Sequence, residues 1–223
     1  VARSQHQEGV RLKAGLTLLL LSMLLVSTSC GKSKSEDSLE ENHYSLDGDY
    51  FSEALPLAAQ TFDAKIIFFQ FNRTQQDKME EAMAIIKMVV GTEEFRQKVL
   101  NYTYNGKKEF VDNSGLSNAQ IYQKILEGAE KLQPAKNNIM NAEVELYYAA
   151  NNTVGYTYPS SRRIWVNTKF FDNYTAAGVA HNLFHEWMHK LGFNHATNWS
   201  PSRDHSVPYA LGYIIGQLGK DFL

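Results

Sequence analysis

The chain is poor in cysteine, in long apolar runs and in net charge of either sign. Cys30 is the only cysteine among 223 residues, so no internal disulfide can staple the fold. The longest apolar run, Leu16 to Val26, falls short of the roughly 20 residues that a membrane-crossing helix needs. Lys plus Arg number 22 and Asp plus Glu 24, for a formal net charge of −2. The charges are interspersed, which gives no reason to expect nucleic-acid binding. Two further absences lie late in the chain: no glutamate follows Glu186, and no methionine follows Met188.

What is present at the start reads as a targeting segment. Arg11 and Lys13 precede the apolar run, and Ser27-Thr28-Ser29-Cys30 follows it, the layout of a secretory signal. The arrangement resembles a bacterial lipoprotein signal, with residues 1–30 as the signal and Cys30 as the lipidated first mature residue. Ser27 stands where leucine is commonest in that pattern, and a plain secretory signal is the alternative. Residues 31–50 are rich in Ser, Lys, Glu and Asp without an apolar period, as in a flexible tether. The resemblance implies a protein of the bacterial cell envelope, lipid-anchored outside the cytoplasm at an outer membrane or cell surface. A secreted protein is the second reading. Residues 51–223 are long enough for a single domain with a sizeable core, and a monomer is expected.

Patterning along that domain predicts an α+β chain. Ala64 to Phe71 is apolar and rich in strand formers, a candidate central strand. Met79, Ala82, Met83, Ile86, Val89 and Val90 keep helical spacing within Gln75–Val90, closed by Gly91, with the methionines as core filler. Glu93–Asn101 is a shorter helix. Ser117 with Gln120 forms a capping-box pattern ahead of Ile121, Ile125, Ala129 and Leu132. Val144, Leu146 and Tyr148 alternate with Glu143, Glu145 and Tyr147, as in a strand with one wet face. Thr153–Tyr158 and Arg163–Asn167 are the next strands. A helix from about Tyr174 to Leu191 is expected, capped by Asp172 or Asn173, and Val207–Leu218 is a final helix.

The expected histidine helix carries His185-Glu186-Trp187-Met188-His189-Lys190-Leu191-Gly192-Phe193-Asn194-His195. His185 and His189, four residues apart, lie one above the other on one helix face and can reach the same metal ion. Gly192 tolerates the left-handed conformation that ends a helix and reverses the chain, so His195 can return as a third ligand. Three protein ligands leave a fourth tetrahedral position for water, the mark of a catalytic zinc site. Glu186 is placed to take a proton from that water rather than to ligate. With no later glutamate, the rival third ligand is Asp204, at a poorer spacing than His195. His181, one turn before His185, reads as an ordinary polar helix residue, and His205 as a loop residue.

Letter for letter, these eleven residues match H-E-x-x-H-x-x-G-x-x-H, and the chain resembles the metzincin clan of zinc metallopeptidases. The resemblance implies a small twisted, mostly parallel sheet with an antiparallel edge strand, an active-site helix and a C-terminal helix. It also implies a Zn2+ cofactor, a peptide or protein substrate, and hydrolysis with Glu186 as general base. One part of the pattern is missing. The clan's methionine turn lies downstream of the third histidine, and here Pro208 of Ser206-Val207-Pro208-Tyr209 stands in its place. Pro208 is then a candidate floor beneath the imidazoles. Tyr209, or less favourably Tyr213, is a candidate for stabilising the transition state; both tyrosines could equally be packing residues. In that fold an edge strand holds extended substrate by strand addition, and Thr153–Tyr158 is the candidate, with Gly155 permitting close backbone approach. The competing classes are an inactive zinc-containing surface binding lipoprotein and a structural or adhesive lipoprotein.

Overall fold

The computed structural model of the chain describes residues 62–222. The expected signal, Cys30, the tether and the first residues of the expected domain lie outside that range. Twelve elements follow in order: β1 (Asp63–Phe69), α1 (Arg73–Val90), α2 (Glu93–Leu100), α3 (Asn118–Glu127), β2 (Ile139–Tyr147), β3 (Gly155–Thr157), β4 (Arg163–Asn167), α4 (Thr168–Phe171), α5 (Ala176–Leu191), a 3-10 turn (Arg203–His205), α6 (Val207–Leu218) and a closing 3-10 turn (Gly219–Phe222). The strands form one sheet in the order β1-β2-β4-β3, parallel throughout except for β3, which runs antiparallel to β4 at the edge. This is the α+β arrangement expected, with a mostly parallel sheet and an antiparallel edge strand.

One sheet face is covered and the other is wet. Along β2, Met140, Ala142, Val144 and Leu146 are buried while Asn141, Glu143, Glu145 and Tyr147 are partly exposed, so the alternation that identified the strand also orients it. On the wet face, Arg163 pairs with Glu145 at 2.7 Å and lays its guanidinium 3.6 Å from the Phe69 ring centre. That cover explains one departure from expectation. The apolar run at β1 reads as a central strand, yet β1 is the outer strand next to β2 among the described residues. Its outward Phe69 is sheltered by an arginine instead of a layer of helices, and Ile67 is left exposed.

The helices start where their caps dictate. Asn72 and Gln75 close a capping box on α1, and Ser117 and Gln120 do the same on α3. Met79 is fully buried on the α1 core face, as a packing residue. α3 is shorter than expected: Gly128 adopts φ 63° and ends it before Ala129 and Leu132. A Cβ at Gly128 would meet the Ile139 carbonyl oxygen at 2.3 Å, so the helix stops where the chain must pass against β2. The cap of α5 is Thr175, whose hydroxyl accepts from the Gly178 N–H, and not Asp172 or Asn173. Asp172 closes the short α4, which was not anticipated, and its carboxylate accepts from Gln75 of α1.

Helix α5 packs between α1 and α6, and two lysines tie its ends. At its start, the Lys78 ammonium of α1 donates to the carbonyls of Phe171, Asp172 and Tyr174. At its end, the buried Lys190 ammonium donates to the carbonyls of Tyr158, Ser161 and Arg163, at 3.4, 2.5 and 2.8 Å. Those carbonyls belong to the β3–β4 connection and the first residue of β4, so Lys190 ties this end of the edge hairpin to the histidine helix. The Trp187 indole donates to buried Glu130 at 2.8 Å, and Glu130 also accepts from the Asn141 N–H on β2. Burial raises the Glu130 carboxyl above its usual range, with these hydrogen bonds opposing.

Lys190→Met is expected to leave the Ser161 carbonyl without its donor, while the Tyr158 carbonyl keeps the Ser161 N–H and the Arg163 carbonyl keeps the Thr157 hydroxyl. An unsatisfied buried group costs about 1–3 kcal/mol, so urea unfolding should report a loss of about that size. A loss below ~0.5 kcal/mol would mean that the connection does not depend on the ammonium.

Candidate metal centre

The left-handed turn anticipated after α5 is present. Gly192 adopts φ 101°, and its N–H closes the helix on the His189 carbonyl. A Cβ there would lie 2.3 Å from Cε of Lys131, so the glycine serves both the reversal and the packing. The reversal returns His195 towards His185 and His189. Ring centres stand 5.2, 5.1 and 4.9 Å apart for the three pairs, a nearly equilateral triangle. One ligand atom from each histidine lies within 4.8 Å of the others, close enough to hold a metal ion.

Hydrogen bonding selects which nitrogens face inward. His189 Nδ1 is 2.8 Å from the Phe193 carbonyl oxygen, and His195 Nδ1 is 2.9 Å from that of Ala196. A carbonyl only accepts, so each Nδ1 carries the proton and each neutral ring presents Nε2 as a lone pair. His195 Nε2 and His185 Nε2 stand 3.2 Å apart. Two nitrogens on one tetrahedral zinc at 2.0–2.1 Å would be separated by roughly 3.3 Å. The donor set, and the spacing of this pair, therefore suit a small metal ion.

Electrostatics favour neutral rings. Burial pushes His185 down to about 2 and His189 down to about 4, each assisted by its histidine neighbours, and also lowers His195 and His181. Glu186, 5% exposed, is pushed up to about 8 by burial, with the Lys190 charge opposing. In the metal-free protein this carboxyl therefore retains a proton near neutrality, and a cation among the three imidazoles would favour releasing it.

The histidines open onto a cleft of about 1030 Å3. One wall is the edge strand and its approach, Asn152 to Thr157; the other includes Gly178, His181 and Asn182 on α5. Gly155 does sit at a close approach, but the partner is α5: an added Cβ would lie 2.9 Å from Asn182 Oδ1. That Asn182 oxygen is buried without a hydrogen-bond partner among the described residues.

Tyr209 packs its ring against two of the imidazoles, with centres 4.4 Å from His185 and 4.7 Å from His195. Pro208 is buried one residue earlier, in the first turn of α6. The Arg203 guanidinium lies over the Tyr209 ring and donates to its hydroxyl. Burial raises the Tyr209 hydroxyl, so it remains protonated at neutral pH. Tyr213 lies further out, 6.5 Å from Tyr209 by ring centres, and packs on His181. His181 lines the cleft but is held by α6: Cβ atoms at Gly212 and Gly216 would meet it at 2.8 and 3.0 Å. Those two glycines blur α6 in the sequence and make room for a ring in the structure. Asp204 is not in the metal-binding group. His205 Nδ1 is 2.7 Å from the Tyr102 hydroxyl, outside that group as expected.

Sequence reasoning missed how this floor is supported. Val111 donates to the His205 carbonyl and accepts from the Val207 N–H, while Tyr102 stacks on Phe110 at 4.0 Å. The segment between α2 and α3 thus holds the start of α6, and with it Tyr209. Nothing in its spacing signals that role, because its partners lie about a hundred residues away. Comparison with known protein families, curated proteins and solved structures finds no match for this chain.

The pKa shifts set the pH response of the metal-free protein. The four histidines are depressed by folding, so the unfolded chain binds more protons just below pH 6.5, and stability falls on acidification towards their folded values. Each contributes a slope of at most about 1.4 kcal/mol per pH unit. Glu186 is raised, so its contribution is present below 4.5 and is lost as pH rises to about 8. Urea unfolding in chelator should show maximal stability near pH 6.5 within the range 4.5 to 8, and Glu186→Gln should flatten the decline on the alkaline side. Stability rising steadily from 6.5 to 8 in the native protein would contradict these assignments.

Proposed function

We propose that the chain is a zinc-dependent endopeptidase of metzincin type. The observation that carries this reading is the convergence of three imidazoles beside a buried carboxyl group in a cleft walled by an antiparallel edge strand. Zn2+ held by His185, His189 and His195 would polarise the scissile carbonyl and make water acidic enough to ionise near neutrality.

The remaining work falls to the chain. Glu186 takes the proton from the attacking water and returns it to the leaving amine; its raised pKa suits a group that must hold a proton between those steps. The protonated Tyr209 hydroxyl is available to the oxygen that gains charge as the carbonyl is attacked. Gly155–Thr157 pairs only with β4 among the described residues, which supports binding of an extended peptide by strand addition. Pro208 stands where the clan has methionine, and an apolar residue suffices for burial there.

Glu186→Ala is expected to retain zinc by metal analysis and to lose turnover by at least ~100-fold, the lower range for general acid–base catalysis. Turnover unchanged in that variant would refute the role. His195→Ala should lose zinc; full occupancy would instead point to Asp204 or His181 as the third ligand. Cleavage of a mixed peptide library, with and without chelator, separates the peptidase from a zinc-holding binding protein that turns nothing over.

A further inference from the structure

Arg203 carries a charge in the cleft that has no ion-pair partner among the described residues. Among the described residues lining the cleft it is the only lysine or arginine, and Glu186 is the only carboxylate. Among the described residues no Asp or Glu forms an ion pair with it, although Asp204 is its neighbour in sequence. Among the described residues its one side-chain hydrogen bond goes to the Tyr209 hydroxyl, and its Cζ lies 4.5 Å from the Tyr209 ring centre. Nε is buried with no acceptor.

A guanidinium offers five N–H donors and never loses its charge at accessible pH. One neutral hydroxyl and a ring face leave most of that capacity unused, and an unsatisfied buried donor is costly. The side chain is not idle packing at the rim. The aromatic contact and the backbone bonds of Arg203 with Ser200 and Ser206 hold it near the imidazoles, and its charge helps to depress both His185 and His195. A fixed cation beside the imidazoles, in a cleft whose other lining residues apart from Glu186 are uncharged types such as Asn, Thr and Tyr, is suited to select negative charge on what binds there.

We propose that Arg203 is the specificity-determining residue of the cleft and recognises a substrate carboxylate close to the scissile bond; this rests on the peptidase reading of the same site. The carboxylate has two possible sources, an Asp or Glu side chain or the substrate's own C-terminus. A free C-terminus would make the protein trim chain ends. A side chain would make it cut internally, beside acidic residues.

The test uses peptides from a protein digest, each with a free or an amidated C-terminus, given to the zinc-loaded protein, with cut sites read by mass spectrometry. Sites enriched about ten-fold in Asp or Glu at one position, the effect of one charge-assisted hydrogen bond, support recognition of a side chain. Cuts confined to the ends of non-amidated peptides support recognition of the terminus. In Arg203→Gln the ratio of kcat/KM for a Glu peptide over its Gln counterpart should fall to near one, and Arg203→Lys should restore part of it. Neutral and acidic peptides cut equally well by the native protein would overturn the proposal and leave the peptidase reading intact. So would an equal loss on both peptides in Arg203→Gln, which would place the residue in support of Tyr209. If the native protein cuts nothing, the peptidase reading fails. Retention of the same peptides on immobilised Glu186→Ala protein then decides the role of Arg203 separately: acidic peptides held by Arg203 and released in Arg203→Gln uphold it, and indifference to charge removes it.

Discussion

A single buried ammonium couples the two walls of the cleft. Lys190 leaves α5 one residue after His189 and donates to two carbonyls of the β3–β4 connection and to that of Arg163 at the start of β4. The histidine helix and the edge strand therefore cannot move independently. Trp187, on the same helical turn, is tied through Glu130 to β2, so the helix is referenced to the sheet at two points. Both ties use charged or polar groups that are costly to bury alone and become stabilising only when their partners are in place. That condition makes the geometry narrow: a small slide of α5 would leave a lysine or a carboxylate unsatisfied.

The same economy governs the histidines. Burial disfavours charge on every group in the site, keeping the imidazoles neutral and the Glu186 carboxyl protonated when no metal is bound. Backbone carbonyls then choose the tautomer of His189 and His195, which directs Nε2 inward. Arg203 is the exception in this low-charge environment, held by an aromatic face instead of a counter-ion. The anion preference proposed for the cleft would rest on this one fixed cation, even though the whole chain is slightly acidic.

Local rules made much of the fold legible. The capping boxes at Asn72 and Ser117, the alternation along β2 and the turn at Gly192 depend on residues a few positions apart, and each appears where those residues put it. The departures have non-local causes. β1 reads as central because its apolar residues suit burial on both faces, but an arginine two strands away covers Phe69. α3 stops at Gly128 because the chain must clear Ile139, and Thr175 displaces Asp172 as a cap because Asp172 is taken up by α4 and Gln75. Gly212 and Gly216 look like helix weaknesses until His181 is seen between α5 and α6.

By itself, the sequence determined the three histidines, their phase on one helix and the glycine that returns the third. Those depend on helical periodicity and on a backbone conformation available chiefly to glycine. Only the tertiary structure decided what surrounds them. Tyr209 on the imidazole rings, Lys190 on the edge-strand carbonyls, Glu130 on Trp187 and the unanswered charge of Arg203 each join segments that packing brings together. Contacts of that kind are settled by the burial of the whole core and leave no periodic trace in the chain.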